Sequence, residues 1–339
     1  MSTERANRRH SFTILNLIKK ENPQFLVRNK HVELDKNGSI AELYLNNCNL
    51  IKVPKEICHL QNLNSLWLCN NGLTYLPDTF KFLVNLKYLW LNNNKLEDIP
   101  RLSSNLEHLY LQSNFIKDVK NICFATALTK ISLGDCAIVS IPDEFCALTQ
   151  LEEIDLYGNK LTTISPEINK LKKVKKLSLH SNKLEHLPKE LFDLCSLTWL
   201  SLHNNTLTSI SANIGNLTNL MRLSLHNNML ESLPKEIAKC RSIEVLSLFR
   251  NHITSIHEDI FENLVNCRKL ALYDNKLIHI PSSIKCMVNL EDLWLYGNYL
   301  VNLPDEIAKL PNLQNLWLYD EKTPNTLYPN LKKSKFKIY

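Results

Sequence analysis

Three histidines, His180, His203 and His226, recur at intervals of 23 residues. Imidazole is the side chain most suited to hold zinc or to carry a proton near neutral pH. The row is therefore the first place to look for chemistry. If each ring occupies the same position of successive strands, the rings stand about 4.8 Å apart. Three rings in a line do not converge on one zinc ion, whose nitrogen ligands lie at about 2.0–2.1 Å. A row that touches a partner fits better, with a protonation switch at mildly acid pH as a further expectation. Ten cysteines are present and none forms a CxxC pair. Cys69 and Cys195 fall near histidines in the pattern, but no residue is placed to orient a base beside them. The six glycines form no phosphate loop, and neither a nucleophile elbow nor an HExxH occurs. The expectation is a protein that is not an enzyme, with no cofactor and no metal.

What sets the interval of 23 is a repeat, L-x-x-L-x-L-x-x-N-x-L. One copy is Leu86, Leu89, Leu91, Asn94, Leu96, and another is Leu220, Leu223, Leu225, Asn228, Leu230. The asparagine position falls at Cys48, Asn71, Asn94, Asn114, Cys136, Asn159, Asn182, Asn205, Asn228, Asn251, Asn275, Asn298 and Glu321. The steps between neighbours are 23, 23, 20, 22, then 23 five times, 24, 23 and 23. This is the signature of a leucine-rich repeat array, in which each repeat gives one strand to a horseshoe. The predicted fold is an α/β solenoid. A curved parallel sheet lines its concave face, and short helices or 3-10 turns line its convex face. The leucines face inward because a strand alternates its side chains, and stacked neighbours bury what one repeat cannot. The asparagine amide is expected to pair backbone groups of its own and the neighbouring repeat. The second half of a repeat reads as in Leu233-Pro234-Lys235-Glu236-Ile237. Proline at the first helical position and an acid in the first turn predict the convex helix or turn. The short step to Asn114, around Pro100, predicts an extended crossover and a local change in curvature.

This organisation leaves little outside the array. Residues 1–39 read as a basic N-terminal segment and cap. It has an amphipathic piece from Phe12 to Lys20 and a hairpin turn at Asn37-Gly38. Residues 40–321 hold about thirteen repeats, and 322–339 form a basic C-terminal tail with Lys332, Lys333, Lys335 and Lys337. The N-terminus carries no apolar stretch followed by a cleavage site. No run of about 18 apolar residues predicts a membrane span. With ten cysteines free of any disulfide cap pattern, the expected location is the cytoplasm, or the nucleus. The sequons at Asn37, Asn204 and Asn216 are then expected to stay unmodified.

The third, fifth, seventh, eighth and tenth positions of the pattern point to the concave surface or its rim. All five tryptophans, Trp67, Trp90, Trp199, Trp294 and Trp317, fall there. The fifth position is aromatic at both ends of the array, with Tyr44, Trp67, Trp90, Tyr110, Trp294 and Trp317, and small between. The seventh runs Tyr157, His180, His203, His226, Phe249, Tyr273, Tyr296, Tyr319. Exposed aromatic surface of this extent marks an interaction site, and Trp and Tyr bury large area at little entropic cost. Stacking between strands, stiffening the sheet, is the compatible alternative. The centre places Lys176, Lys183, Arg222 and Arg250 on this face with no acidic residue. An acidic or phosphorylated protein segment is the electrostatic match. Glu153, Asp155, Asp274, Asp292 and Asp320 elsewhere on the face argue against nucleic acid. Ser11, after Arg8-Arg9-His10, resembles a basophilic kinase site.

The 23-residue L-P-x-E-I form resembles the intracellular leucine-rich repeats of Ras-pathway scaffolds, of polarity scaffolds and of plant Ras-group repeat proteins. The match covers about residues 40–321. The resemblance implies protein binding through the concave face without catalysis, and makes small GTPases and protein phosphatase catalytic subunits candidate partners. The 20-residue repeat at Pro100 looks like those of bacterial effector proteins. The expected function is a non-catalytic intracellular adaptor. The alternatives are a regulatory subunit of a phosphatase or small-GTPase complex, and a pathogen effector-like or nucleic-acid-binding repeat protein.

Overall fold

The computed structural model describes residues 2–26, 28, 31–318, 331 and 335–339, with the backbone alone for residues 2–11. Tyr319, Glu321 and the side chain of Ser11 lie outside the described residues. The chain forms two compact units, residues 1–161 and 162–339.

The first unit begins with helix α1 (Ser2–Glu21). Its inner face, Ile14, Leu15 and Ile18, is fully buried with Phe25. Asn22 fastens the end of α1 to the array. Its amide donates to the carbonyls of Ile18 and Lys52, both at 2.8 Å, and its oxygen accepts from the Ile51 and Lys52 N–H groups at 2.7 and 3.1 Å. Strand β1 (Val32–Leu34) runs antiparallel to β2 (Ile40–Tyr44) across a turn in which Gly38 adopts φ 77°. Then come β3 (Ser65–Trp67), β4 (Tyr88–Trp90), β5 (His108–Tyr110), β6 (Lys130–Ser132) and β7 (Glu153–Asp155), parallel and in register.

The second unit repeats the scheme with β8 (Lys176–Ser178), β9 (Trp199–Ser201), β10 (Arg222–Ser224), β11 (Val245–Ser247), β12 (Lys269–Ala271), β13 (Asp292–Trp294) and β14 (Asn315–Trp317). All pair in parallel, as does a last strand, β15 (Lys337–Ile338), against β14. Composition alone reads residues 322–339 as a basic tail. Among the described residues of that stretch, Leu331 and Phe336 are buried and Lys337–Ile338 extend the sheet.

Each strand is held by the asparagine after it. Asn205 is typical: its amide donates to the carbonyls of Leu179, Leu202 and His203, and its oxygen accepts from the Leu184 N–H at 3.0 Å. Two of those partners belong to the preceding repeat, so the residue satisfies backbone that stacking would otherwise bury unpaired. Where cysteine replaces it, at Cys136, the thiol donates only long bonds to the carbonyls of Leu111 and Gly134, at 3.5 and 3.6 Å.

On the other side of the repeats the predicted helices are almost all five-residue 3-10 turns, for example Lys55–His59 and Lys235–Lys239. Among the described residues the exception is α2 (Glu258–Asn263). The proline usually sits one residue earlier than expected. Pro54 and Pro234 are extended caps (φ −66°) whose carbonyls accept the first bond of the turn, whereas Pro166 opens its turn. Their fixed φ suits either place. No turn of this kind interrupts residues 98–105, so the short step at Pro100 is an extended crossover.

Candidate functional site

Fifth and seventh positions of one repeat project from the same sheet face, because side chains two apart in a strand do. In the first unit the rings fill the fifth position. Tyr44, Trp67, Trp90 and Tyr110 face each other across β2 to β5. They stack with centroids 4.3, 4.5 and 5.7 Å apart and planes within 14°. The column then gives way to Ser132, whose hydroxyl donates to Asp155 at 3.1 Å. Tyr157, one repeat later, sits at the seventh position and lies over Gly134, where a Cβ would collide with its ring. Burial and the neighbouring Asp135 push the Tyr157 hydroxyl up to about 12.

In the second unit the rings move to the seventh position. His180, His203, His226, Phe249, Tyr273 and Tyr296 form an unbroken stack, with centroids 4.1, 4.2, 4.1, 4.3 and 4.6 Å apart and planes within 15°. The fifth position beside it holds Ser178, Ser201, Ser224, Ser247 and Ala271. On the far side of these small residues the third position holds Lys176, Trp199, Arg222 and Val245. Ser201 and His203 Nδ1 share a 2.9 Å hydrogen bond. The buried Ser178 hydroxyl and His226 Nδ1 have no hydrogen-bond partner among the described residues. Burial, reinforced by the neighbouring histidines, holds both His203 and His226 down at about 4. Both imidazoles are therefore held in the neutral form near neutral pH, which argues against His203 or His226 carrying a switch there. Parallel stacked rings also cannot turn their nitrogens toward one ion.

The family models match these repeats along most of the chain. The model described as "Leucine rich repeat" covers residues 104–161, 158–207, 172–230, 195–253 and 241–300, and one for two copies of the repeat covers 61–104. The chain belongs to the leucine-rich repeat family. Among solved structures it is similar to a leucine-rich repeat protein of Leptospira interrogans, with 37% identity and a TM-score of 0.80 over 84% of this chain and 75% of that one. An internalin of Listeria monocytogenes shares the fold, with 23% identity and a TM-score of 0.79 over 97% and 93% of the two chains. The ectodomain of the Arabidopsis receptor kinase HAESA, solved with a peptide hormone, matches at 26% identity and a TM-score of 0.69. That match covers 93% of this chain and 54% of the other. No protein of curated function matches. Leucine-rich repeat proteins generally act by protein–protein interaction, and no enzyme family is indicated. No helix among the described residues is long and apolar enough to cross a membrane.

Within this leucine-rich repeat frame the expected stacking residues separate into three groups. Tyr44, Trp67, Trp90 and Tyr110 form one column; His180, His203, His226, Phe249, Tyr273 and Tyr296 form another; Trp294 and Trp317 pair at 4.5 Å. All are half-buried: they stack on one another and keep part of each ring exposed. Trp199 differs: half-buried at the third position beside Lys176 and Arg222, it stacks on no ring among the described residues. The basic centre is also less free than the sequence implies. Arg250 pairs with Asp274 of the next repeat at 3.4 Å, and Lys269 with Asp292 at the same distance. Arg222 and Lys183 keep no carboxylate partner among the described residues.

Three rings escaped sequence reasoning. Tyr88 and His108 meet edge to face at 4.9 Å. Tyr339 stacks on Trp317 at 5.1 Å, extending that pair to three rings. Its position 22 residues after Trp317, close to the repeat step, was the available signal.

Proposed function

We propose that this chain is a non-catalytic intracellular adaptor that binds a protein partner on the open sheet face of its repeats. The partner segment is acidic. The observation that carries this is the ring column of the second unit. It is half-buried, and it is flanked by Trp199 and Arg222, which among the described residues have neither ring nor carboxylate to occupy them. Rigid aromatic edges beside unpaired cations are the composition of binding hot spots. Ten free cysteines support a reducing compartment.

The test is proximity labelling in the native cell with wild type and with a Trp199→Ala, Trp294→Ala, Trp317→Ala variant shown to be folded. Partners lost from the variant, with affinity reduced by about 2 kcal/mol or more for the purified pair, support the reading. Their identity separates an adaptor from a regulator of a phosphatase or GTPase. An unchanged partner set means the rings only stiffen the sheet.

A further inference from the structure

The eighth position of every described repeat takes a left-handed backbone, and the residues there are Asn, Asp, Ser or Gly, with one exception. Gly, Asn and Asp adopt φ above zero most readily, and the serines are short. The exception is Arg250, at φ 52°. A long side chain held in that conformation is strained, and such outliers cluster where a residue serves binding.

The surroundings say what Arg250 would serve. Its N–H donates to the Tyr273 carbonyl at 3.0 Å, which fixes it beside the ring column. Its charge acts on both His226 and Tyr273. Among the described residues the guanidinium is held only by the 3.4 Å contact of its Nε with Asp274, and the two side chains are 61% and 41% exposed. An exposed pair of this geometry contributes little, and it leaves the two terminal guanidinium nitrogens for a bidentate carboxylate. No acidic residue occupies the face positions of the three repeats before it, while Arg222 lies across the ring column with no carboxylate partner among the described residues.

We infer that Arg250 is the specificity-determining anchor for an Asp or Glu carboxylate of a partner peptide laid on the second unit's ring column, with Asp274 as the internal carboxylate it exchanges. The inference rests on the reading that this face binds a protein segment, and it names the group that selects the segment. Asp274 holds Arg250 in the free protein, and the incoming carboxylate takes the fork that Asp274 engages through one nitrogen. Neutralising Asp274 then strengthens peptide binding, and replacing Arg250 with a residue suited to the left-handed backbone weakens binding while relaxing the fold.

The experiment uses the full chain and a displayed library of random dodecapeptides as the probe. Wild type is expected to enrich peptides bearing Asp or Glu beside an aromatic or aliphatic residue. For those peptides Arg250→Asn should lose at least tenfold in affinity, with a Tm equal to or above that of wild type. Arg250→Lys, which keeps charge without the fork, should lose severalfold. Asp274→Asn should gain about threefold, since relieving an exposed competing pair is a small effect. If Arg250→Asn binds the same peptides as tightly, or wild type enriches peptides without carboxylates, the anchor role is overturned while the binding face stands. If no peptide binds wild type in a manner sensitive to Trp199→Ala, the binding face and the anchor fall together.

Discussion

The two units carry the same repeat but put their rings in different columns. In the first, tyrosine and tryptophan fill the fifth position, while the seventh holds Asn46, Cys69, Asn92 and Gln112. In the second, histidine, phenylalanine and tyrosine fill the seventh, while the fifth is serine and alanine. In most described repeats a ring in one column stands beside a small or polar residue in the other. Trp294 and Tyr296 share one repeat, where the seventh-position column of the second unit ends among the described residues and the Trp294–Trp317–Tyr339 column begins. The spacing differs too: centroids lie 4.1–4.6 Å apart in the six-ring column and drift to 5.7 Å at the end of the four-ring one. Imidazoles and single six-membered rings stack regularly at strand spacing. The widest gap, between Trp90 and Tyr110, falls at the 20-residue repeat.

The largest effect should come from breaking the way the first unit ends its column. Gly134→Ala places a methyl group against the Tyr157 ring, and overpacking of this kind costs about 2–3 kcal/mol. Urea unfolding should show the loss, and it should vanish when Tyr157→Ala is added. A persistent loss in the double variant would mean that the ring is not what Gly134 accommodates.

The second test concerns charge in the second unit. His203 and His226 are held at about 4 in the folded chain against an ordinary 6.5. Protonation therefore favours the unfolded chain. Stability is full above about pH 6.5, falls as pH drops toward 4, and levels off below. Both rings are half-exposed, so the loss is about 1 kcal/mol per histidine after solvent screening. His203→Phe with His226→Phe follows the precedent of Phe249 in the same column, so it should keep the stack and flatten the profile between pH 6.5 and 4. An unchanged profile would place the proton uptake elsewhere.

The smallest effect would make the first unit resemble the second in its asparagines. Cys136→Asn should restore the short amide bonds that Asn205 makes, and raise stability by about 1 kcal/mol. A lower unfolding midpoint would show that the pocket is shaped for sulfur.

Much of this was legible in the sequence. The asparagine interval gives every strand its register, and register alone puts Trp67 over Trp90 and His203 over His226. The extended stretch at Pro100 follows from three missing residues. What the pattern could not show is set by reach between repeats. Arg250 finds Asp274 because an arginine spans a strand spacing, which cancels part of the apparent basic patch. Tyr157 reaches back over Gly134 because glycine leaves room there. The low values at His203 and His226 arise from desolvation within the stack, which composition does not reveal. Residues 335–339 lack the leucine pattern, yet their alternation is that of a strand, and the unpaired edge of β14 takes them up.

The ring stack of the second unit also acts as a vernier. Its marks lie 4.1–4.6 Å apart, whereas an extended chain laid across the strands advances about 3.3 Å per residue. Three marks and four residues both span about 13 Å, so the two scales fall into step only once per four residues. Sliding such a chain by one residue puts every contact out of phase, and sliding it by four brings the contacts back.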